Sequence, residues 1–441
     1  MIYFKLKNFK VFNEEAIFET VPYKLQTKNK DIYIEKKYLN KKVELLPYSV
    51  IYGANASGKS TLVKAMAILK EIVLSGKIIS SDEKSLLFDI GLLPYLHSYD
   101  KYCEPVGLGI GFIQNNKKYE YSIAFKCSLS PVEQYCVEKE IVEETLTINN
   151  KIIFNRNNIS IKYRSDKNMI IGSNIAIDKS DLFLHSTFKN NIKDNEDYLS
   201  FINWFKEKFI VITDLNSLKL QVSLNEFPKF NRINIKNEII DAAQKIADFG
   251  PQQILYRIDA NHESQNLGLQ MRSIYKIKGL PPEKSIDTNS INTESAGTIK
   301  FVNILTVLFP AIISGSTIVI DELDSSFHFE IIKEILNVFL NKKINSKGAQ
   351  LIFTSHNPIF MSLIKIRKDQ VYFVNKNLNN FTSELYSLSD FKSYGKKSVR
   401  NGETFVKNYL EGKYGALPKF DFEKSLQKYL EKMKEMANEK K

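Results

Sequence analysis

Apolar side chains alternate with Lys and Asn at the start of the chain, where Ile2, Phe4 and Leu6 are followed by Val11, Phe12, Ile17 and Phe18. A period of two residues predicts short antiparallel strands around a turn at Asn8. Val43 to Tyr52 is mostly apolar and stops at Gly53, the pattern of a buried strand. Beyond Gly58 the period changes: Leu62, Ala65, Met66 and Leu69 recur at helical spacing, so a helix runs to about Ile72 or Leu74. From about Val106 to Ile161 the blocks VGLGIGF, YEYSIAF, ETLTI and KIIFN are separated by turns such as Asn115-Asn116 and Asn149-Asn150, which predicts an antiparallel meander.

Between about Ser165 and Leu280, Tyr198 to Phe209 and Asn237 to Asp248 read as amphipathic helices, and the whole stretch is expected to be a mostly helical insertion. Pro281-Pro282 and a polar run to Asn292 close it. A helix over about Thr298 to Ile313 then leads to the strand Thr317 to Ile320. A helix from about Phe329 to Leu340, the strand Gln350 to Thr354, a short helix or turn near Pro358 to Leu363 and the strand Gln370 to Val374 follow. Helix alternating with short β-branched strand predicts a parallel sheet, so the fold class is α/β. The expected organisation is an N-terminal lobe over 1–164, the insertion over 165–285, a C-terminal lobe over 286–395 and a basic helical tail over 396–441, where Leu426, Tyr429, Leu430 and Met433 share a helical spacing.

Composition narrows the classes. A chain of 441 residues with 43% hydrophobic and 25% charged residues is a folded protein with material for two lobes. The best candidate for a membrane span, Phe301 to Ile320, is broken by Asn303, Pro310, Ser314, Gly315 and Ser316, and the N-terminus has no apolar core of a signal peptide. A cytoplasmic protein with no membrane partner is the expectation. Cys103, Cys127 and Cys136 offer neither a disulfide framework nor metal-ligand spacing. A net charge of +12 permits contact with nucleic acid without requiring it, because the lysines are spread along the chain.

Four motifs carry chemistry. Gly53-Ala-Asn-Ala-Ser-Gly58-Lys59-Ser60 is a complete GxxxxGK[ST] loop between a strand and a helix. Gly53, Asn55, Ser57 and Gly58 form a loop whose backbone N–H groups can face an anion, Lys59 can reach the β and γ phosphates, and Ser60 can ligate Mg²⁺. Ile318-Val319-Ile320-Asp321-Glu322 is an apolar strand delivering two carboxylates, one for the metal and one for an attacking water. Thr354-Ser355-His356-Asn357 ends the next strand, which sets His356 on the same rim as Asp321. Glu294-Ser295-Ala296-Gly297-Thr298 opens a helix and is either a second anion-binding surface or an ordinary N-cap.

In this order the motifs resemble the ABC-type ATPases of the SMC and OLD kind. More narrowly, they are similar to the AAA/ABC-type ATPases of bacterial anti-phage modules, among them RloA and the ATPases of the AbiL and PARIS systems. Val399 to Pro418 is similar to that family's C-terminal block. The resemblance implies an ABC-type P-loop ATPase head with an antiparallel β-subdomain, using ATP and Mg²⁺. It implies that Lys59, Ser60 and Thr61 bind the phosphates, Asp321 coordinates magnesium, Glu322 polarises the water and His356 is the switch histidine. Asp324 would lie in a loop crossing the dimer interface, and Ser295 and Gly297 would contact ATP held by the opposite subunit of a head-to-tail homodimer or larger assembly. The implied role is the sensing or regulating half of a two-component phage-defence system, controlling a separately encoded effector such as a nuclease and answering a phage trigger. The alternative is an SMC-like DNA-binding or repair ATPase; no sustained heptad arms support it. ESAGT in place of LSGGQ argues against a transporter subunit, and the Q-loop and adenine-contacting positions stay open.

Overall fold

The structure is a computed structural model and describes residues 1–23, 33–80, 85–87, 92–129, 136–157, 160–165, 168–172, 177–188, 196–215, 232–235, 251, 253–260, 267–279, 281, 284–325, 327–362, 366–393, 397–398, 405–417 and 422–438. β1 (Tyr3–Lys7) and β2 (Ala16–Glu19) pair antiparallel around Asn8, whose φ is 50°. β3 (Ile34–Tyr38) and β4 (Lys41–Leu45) form a separate hairpin. β5 (Tyr48–Tyr52) follows, so the apolar run expected to be one strand is two. Pro47 separates them: it has no N–H for a ladder, while its carbonyl accepts from the Leu351 N–H at 2.9 Å. α1 (Lys59–Ser75) leaves the loop after β5.

The meander is present as β6 (Val106–Gln114), β7 (Lys117–Leu129), β8 (Cys136–Ile148) and β9 (Lys151–Asn157), and continues through β10 (Ile161–Ser165) and β11 (Asn168–Gly172). With β1 and β2 these make an eight-stranded antiparallel sheet that runs past residue 164. α2 (Phe183–Phe188) and α3 (Glu196–Asn203) follow. The helix expected over Tyr198 to Phe209 ends in a wider π-type turn at Trp204–Lys208, and Phe209 opens β12 (Phe209–Ile212). Trp204 stacks on Phe112 at 3.8 Å and on Phe209 at 4.9 Å, so ring packing sets where the helix stops.

The expectation of a mostly helical insertion is corrected among the described residues of 165–285. β13 (Arg232–Ile235), β14 (Gln253–Ala260), β15 (Leu267–Lys276) and β16 (Ser285–Asn289) form a four-stranded antiparallel sheet there. Asp287 on β16 ties it together, accepting from Arg257 at 2.5 Å and from Arg272 Nε at 2.8 Å. The helix expected over Asn237 to Asp248 lies outside the described residues.

The C-terminal half follows the predicted alternation. α4 (Ser290–Thr293) and α5 (Ala296–Ser314) precede β17 (Thr317–Ile320); α6 (Phe329–Leu340) precedes β18 (Gln350–Thr354). A 3₁₀ turn at Pro358–Ser362, β19 (Val371–Lys376) and β20 (Ser383–Ser387) complete the sheet, and α7 (Phe405–Leu410) and α8 (Phe422–Asn438) end the chain. The central sheet has the order β12-β17-β18-β5-β19-β20, parallel except for β20.

Alternate residues of this sheet enter two cores, as the strand period requires. Ile51, Val319 and Ile352 pack with α1 and the eight-stranded sheet. Val50, Ile318, Ile320, Leu351 and Phe353 pack with α5, α6 and α7. α5 is the one helix among the described residues long and apolar enough to cross a bilayer, and its Phe301, Ile304, Leu305 and Leu308 are buried in the second of these cores.

Candidate functional site

The site begins where β5 gives way to α1. Gly58 caps the helix at φ 116°, a backbone state that strains any side chain, and a Cβ there would crowd Val11, Ser383 and Phe12. A Cβ on Gly53 would lie 2.4 Å from the Val374 carbonyl oxygen and 2.5 Å from Ser57 Oγ. Only glycine fits at either end of the loop. Ser383 Oγ donates to the Ser57 carbonyl at 2.6 Å and fastens the loop to β20. Ser57 Oγ is itself buried without a hydrogen-bond partner. Asn55 is exposed on the outer turn, and Ser60 and Thr61 are half-buried in the first turn of α1.

Lys59 folds back onto this loop, donating to the carbonyls of Gly53 at 2.8 Å and Ala54 at 3.0 Å. Burial lowers its pKa to about 8, and Asp321, Glu322 and Asp324 act in the opposite direction. A glycine cradle, an orphaned buried hydroxyl, a helix N-terminus and a folded-back lysine together fit a phosphate group.

The carboxylates sit at the adjoining strand ends. Asp321 is buried, and its N–H bonds to the Ile212 carbonyl at 2.9 Å, so β12 pins it. Its Oδ1 accepts from Thr354 Oγ1 at 2.5 Å, and the same hydroxyl accepts from the Glu322 N–H at 2.7 Å. Glu322 has φ 50°, the left-handed region a glutamate rarely adopts. That turn sets its half-exposed carboxylate 3.9 Å from His356 Nε2. The His356 pKa is lowered first by burial and then by Lys59, against Asp324, Glu322 and Asp321, so the imidazole is neutral at pH 7.

Asp324 lies in the 3₁₀ turn Leu323–Ser325. Its Oδ2 accepts from Ser355 Oγ at 2.8 Å, the Asn357 N–H at 3.1 Å and the His356 N–H at 3.2 Å. Within one chain this carboxylate clamps the turn bearing His356, a role the sequence did not suggest beside the expected contact across a dimer.

The Glu294–Thr298 turn is a separate feature. Ser295 is the N-cap of α5, its Oγ accepting from the Thr298 N–H at 3.1 Å and sharing a bond with Thr298 Oγ1 at 2.9 Å. Gly297 lies in the first helical turn, and the Tyr275 hydroxyl donates to the Glu294 carboxylate. The structure therefore gathers Lys59, Asp321, Glu322, Asp324 and His356 at one rim, while Ser295 and Gly297 form their own exposed-to-half-buried turn.

Sequence reasoning missed the positioning hydroxyls. Thr354 was visible within the Thr-Ser-His-Asn motif, yet only the pairing of β17 with β18 shows that it meets Asp321. Ser383 had no local signal. Among the described residues no group of three or more His, Cys, Asp and Glu side chains forms a metal cage. One carboxylate with a serine hydroxyl suits Mg²⁺ arriving on a phosphate ligand with its waters.

A family model described as "AAA domain, putative AbiEii toxin, Type IV TA system" matches residues 49–161 and 186–362. Among solved structures the chain is similar to the SMC head domain from Thermotoga maritima, with 14% identity, a TM-score of 0.32, and coverage of 88% of this chain and 98% of that one. It is also similar to an SMC head bound to the C-winged helix domain of ScpA, with 12% identity, a TM-score of 0.39, and coverage of 87% and 96%. No curated protein matches the chain.

Proposed function

The chain belongs to this AAA-domain family, and from that premise we propose that it is a Mg²⁺-dependent ATPase acting as the ATP-driven control half of a cytoplasmic phage-defence system. The observation that carries the ATPase reading is the meeting of Lys59, Asp321, Glu322 and His356 at the mouth of a glycine cradle. Gly53, Asn55, Ser57 and Gly58 present backbone donors to the phosphates of ATP, and Ser60 and Thr61 extend that surface into α1. Lys59 exchanges its bonds to the loop carbonyls for phosphate oxygens. Ser60 and the Asp321 oxygen left over from the Thr354 bond would hold Mg²⁺, whose charge would offset that of the transferring phosphate. Glu322 takes the proton of the attacking water, and the neutral His356 donates a hydrogen bond toward the γ phosphate.

Ser295 and Gly297 complete the site of a second subunit in a head-to-tail dimer, with Asp324 at the seam. ATP then stabilises the closed pair and hydrolysis opens it, a two-state switch able to hold or release a separately encoded effector in answer to a phage trigger. The family description names a toxin of a type IV toxin–antitoxin system, in keeping with a defence role. Net charge of +12 supports the second reading, an SMC-like ATPase acting on DNA.

Affinity purification of Glu322→Gln protein from its host, with ATP and magnesium, separates the two. A stoichiometric protein partner that is absent with Lys59→Ala supports the switch. Nuclease-sensitive material without a protein partner transfers the assignment to DNA.

A further inference from the structure

Every described side chain of α8 from Phe422 to Met433 is exposed. Phe422 is 78% exposed, Tyr429 60%, and Leu430, Met433 and Leu426 about half. Five large apolar groups on one short helix form a surface that water covers poorly.

Their spacing defines the shape that fits them. Phe422, Leu426, Tyr429 and Met433 are separated by four, three and four residues, and the sequence carries the pattern on to Met436. This is the a/d seam of a coiled coil, whose period of about 3.5 residues matches another helix. Leu430 widens the stripe on one side. A helix lying on a bilayer has a broader apolar face and a polar face rich in lysine. Here Lys424, Lys428 and Lys432 are interspersed with Glu423 and Glu431.

The seam is also complementary to itself. An antiparallel second copy sets Phe422 against Met433 and Leu426 against Tyr429, then repeats both pairs by symmetry. Every layer is apolar, each pairs a ring with a narrower chain, and the two helix dipoles oppose. The five side chains expose on the order of 500 Å² per copy, so a pair buries about 1,000 Å², the lower bound for a specific contact.

We infer that α8 pairs with α8 of a second copy of this chain, in a dimer contact that needs no nucleotide and is distinct from any ATP-closed contact between heads. The inference does not depend on the ATPase assignment. Sedimentation equilibrium of the full chain, without nucleotide and over roughly 1–50 µM, tests it. The wild type dimerises reversibly, and so does Lys59→Ala. The double variant Leu426→Glu with Met433→Glu dimerises at least about 30-fold more weakly, since two seam layers per copy are lost. Lys428→Glu, on the polar face, dimerises as the wild type does. Because α8 is exposed, a melting temperature unchanged at a concentration low enough for the wild type to be monomeric confirms that the double variant keeps its fold. A monomeric wild type over this range overturns the inference, as does a dimer indifferent to the double substitution. So does α8-dependent binding of monomers to phosphatidylcholine–phosphatidylserine vesicles.

Discussion

Replacing Thr354 by Val tests the idea that one hydroxyl positions both carboxylates. Thr354 is fully buried, donates to Asp321 at 2.5 Å and accepts from the Glu322 N–H at 2.7 Å. Valine keeps the branched shape, so no cavity opens and the change is confined to hydrogen bonding. Loss of a bond to an ionised carboxylate costs about 1.5–3 kcal/mol, and the stranded Glu322 N–H adds about 1–3 kcal/mol. The sum divides between folding stability and placement. If about 2 kcal/mol falls on the transition state, turnover drops roughly 30-fold. Phosphate-release kinetics, a urea unfolding curve and titration with a fluorescent ATP analogue read the three consequences separately. Turnover and the unfolding midpoint fall, while nucleotide affinity stays within about threefold because the cradle of residues 53–58 is untouched. Thr354→Ser, which retains both bonds, recovers most of the loss. Valine with wild-type turnover and stability would refute the reasoning.

Glu322→Gln keeps nucleotide binding but slows hydrolysis by at least about 100-fold, measured by single-turnover phosphate release. Gly58→Ala lowers nucleotide affinity by at least about tenfold in calorimetry, because φ 116° and the nearby Val11 and Phe12 leave no room for a methyl group. Lys59 has a pKa lowered to about 8, so it carries its charge below that value and loses it above. Nucleotide affinity is therefore full at pH 7 and falls by up to about tenfold per unit as pH rises past 8, and Lys59→Arg removes this dependence. Asp324→Ala frees the 355–357 turn and lowers kcat about tenfold with little change in KM, whereas Asp324→Asn, which keeps one acceptor oxygen, loses less.

Local chemistry made part of this legible. A loop needing glycine at positions 53 and 58, and strands buried on both faces, leave signatures within a few residues, and α6 and β18 fall where the period places them. Partners distant in sequence leave none. Thr354 reads as any strand threonine until β18 lies beside β17, and Asp324 reads as part of a loop at a dimer interface until its three donors within the same chain are known. The four-stranded sheet of 232–289 does alternate locally, with Ile254, Tyr256 and Ile258 and then Leu267, Leu269 and Met271 on every second position, but what joins its strands, Arg257 and Arg272 bonded to Asp287, spans 30 and 15 residues and leaves no local mark. The wider turn at Trp204–Lys208 likewise depends on Phe112, far off in the chain.

The position of β5 bears on how the protein is made. One side of β5 bonds to residues 351–354 and the other to residues 371–373, about 300 positions later in synthesis. Gly53 likewise meets its close neighbour only at Val374. A nascent chain therefore displays the phosphate loop early but cannot brace it until β18 and β19 have emerged. Stalled or prematurely terminated products carry the motif without the pocket, so nucleotide binding reports a chain translated past β19.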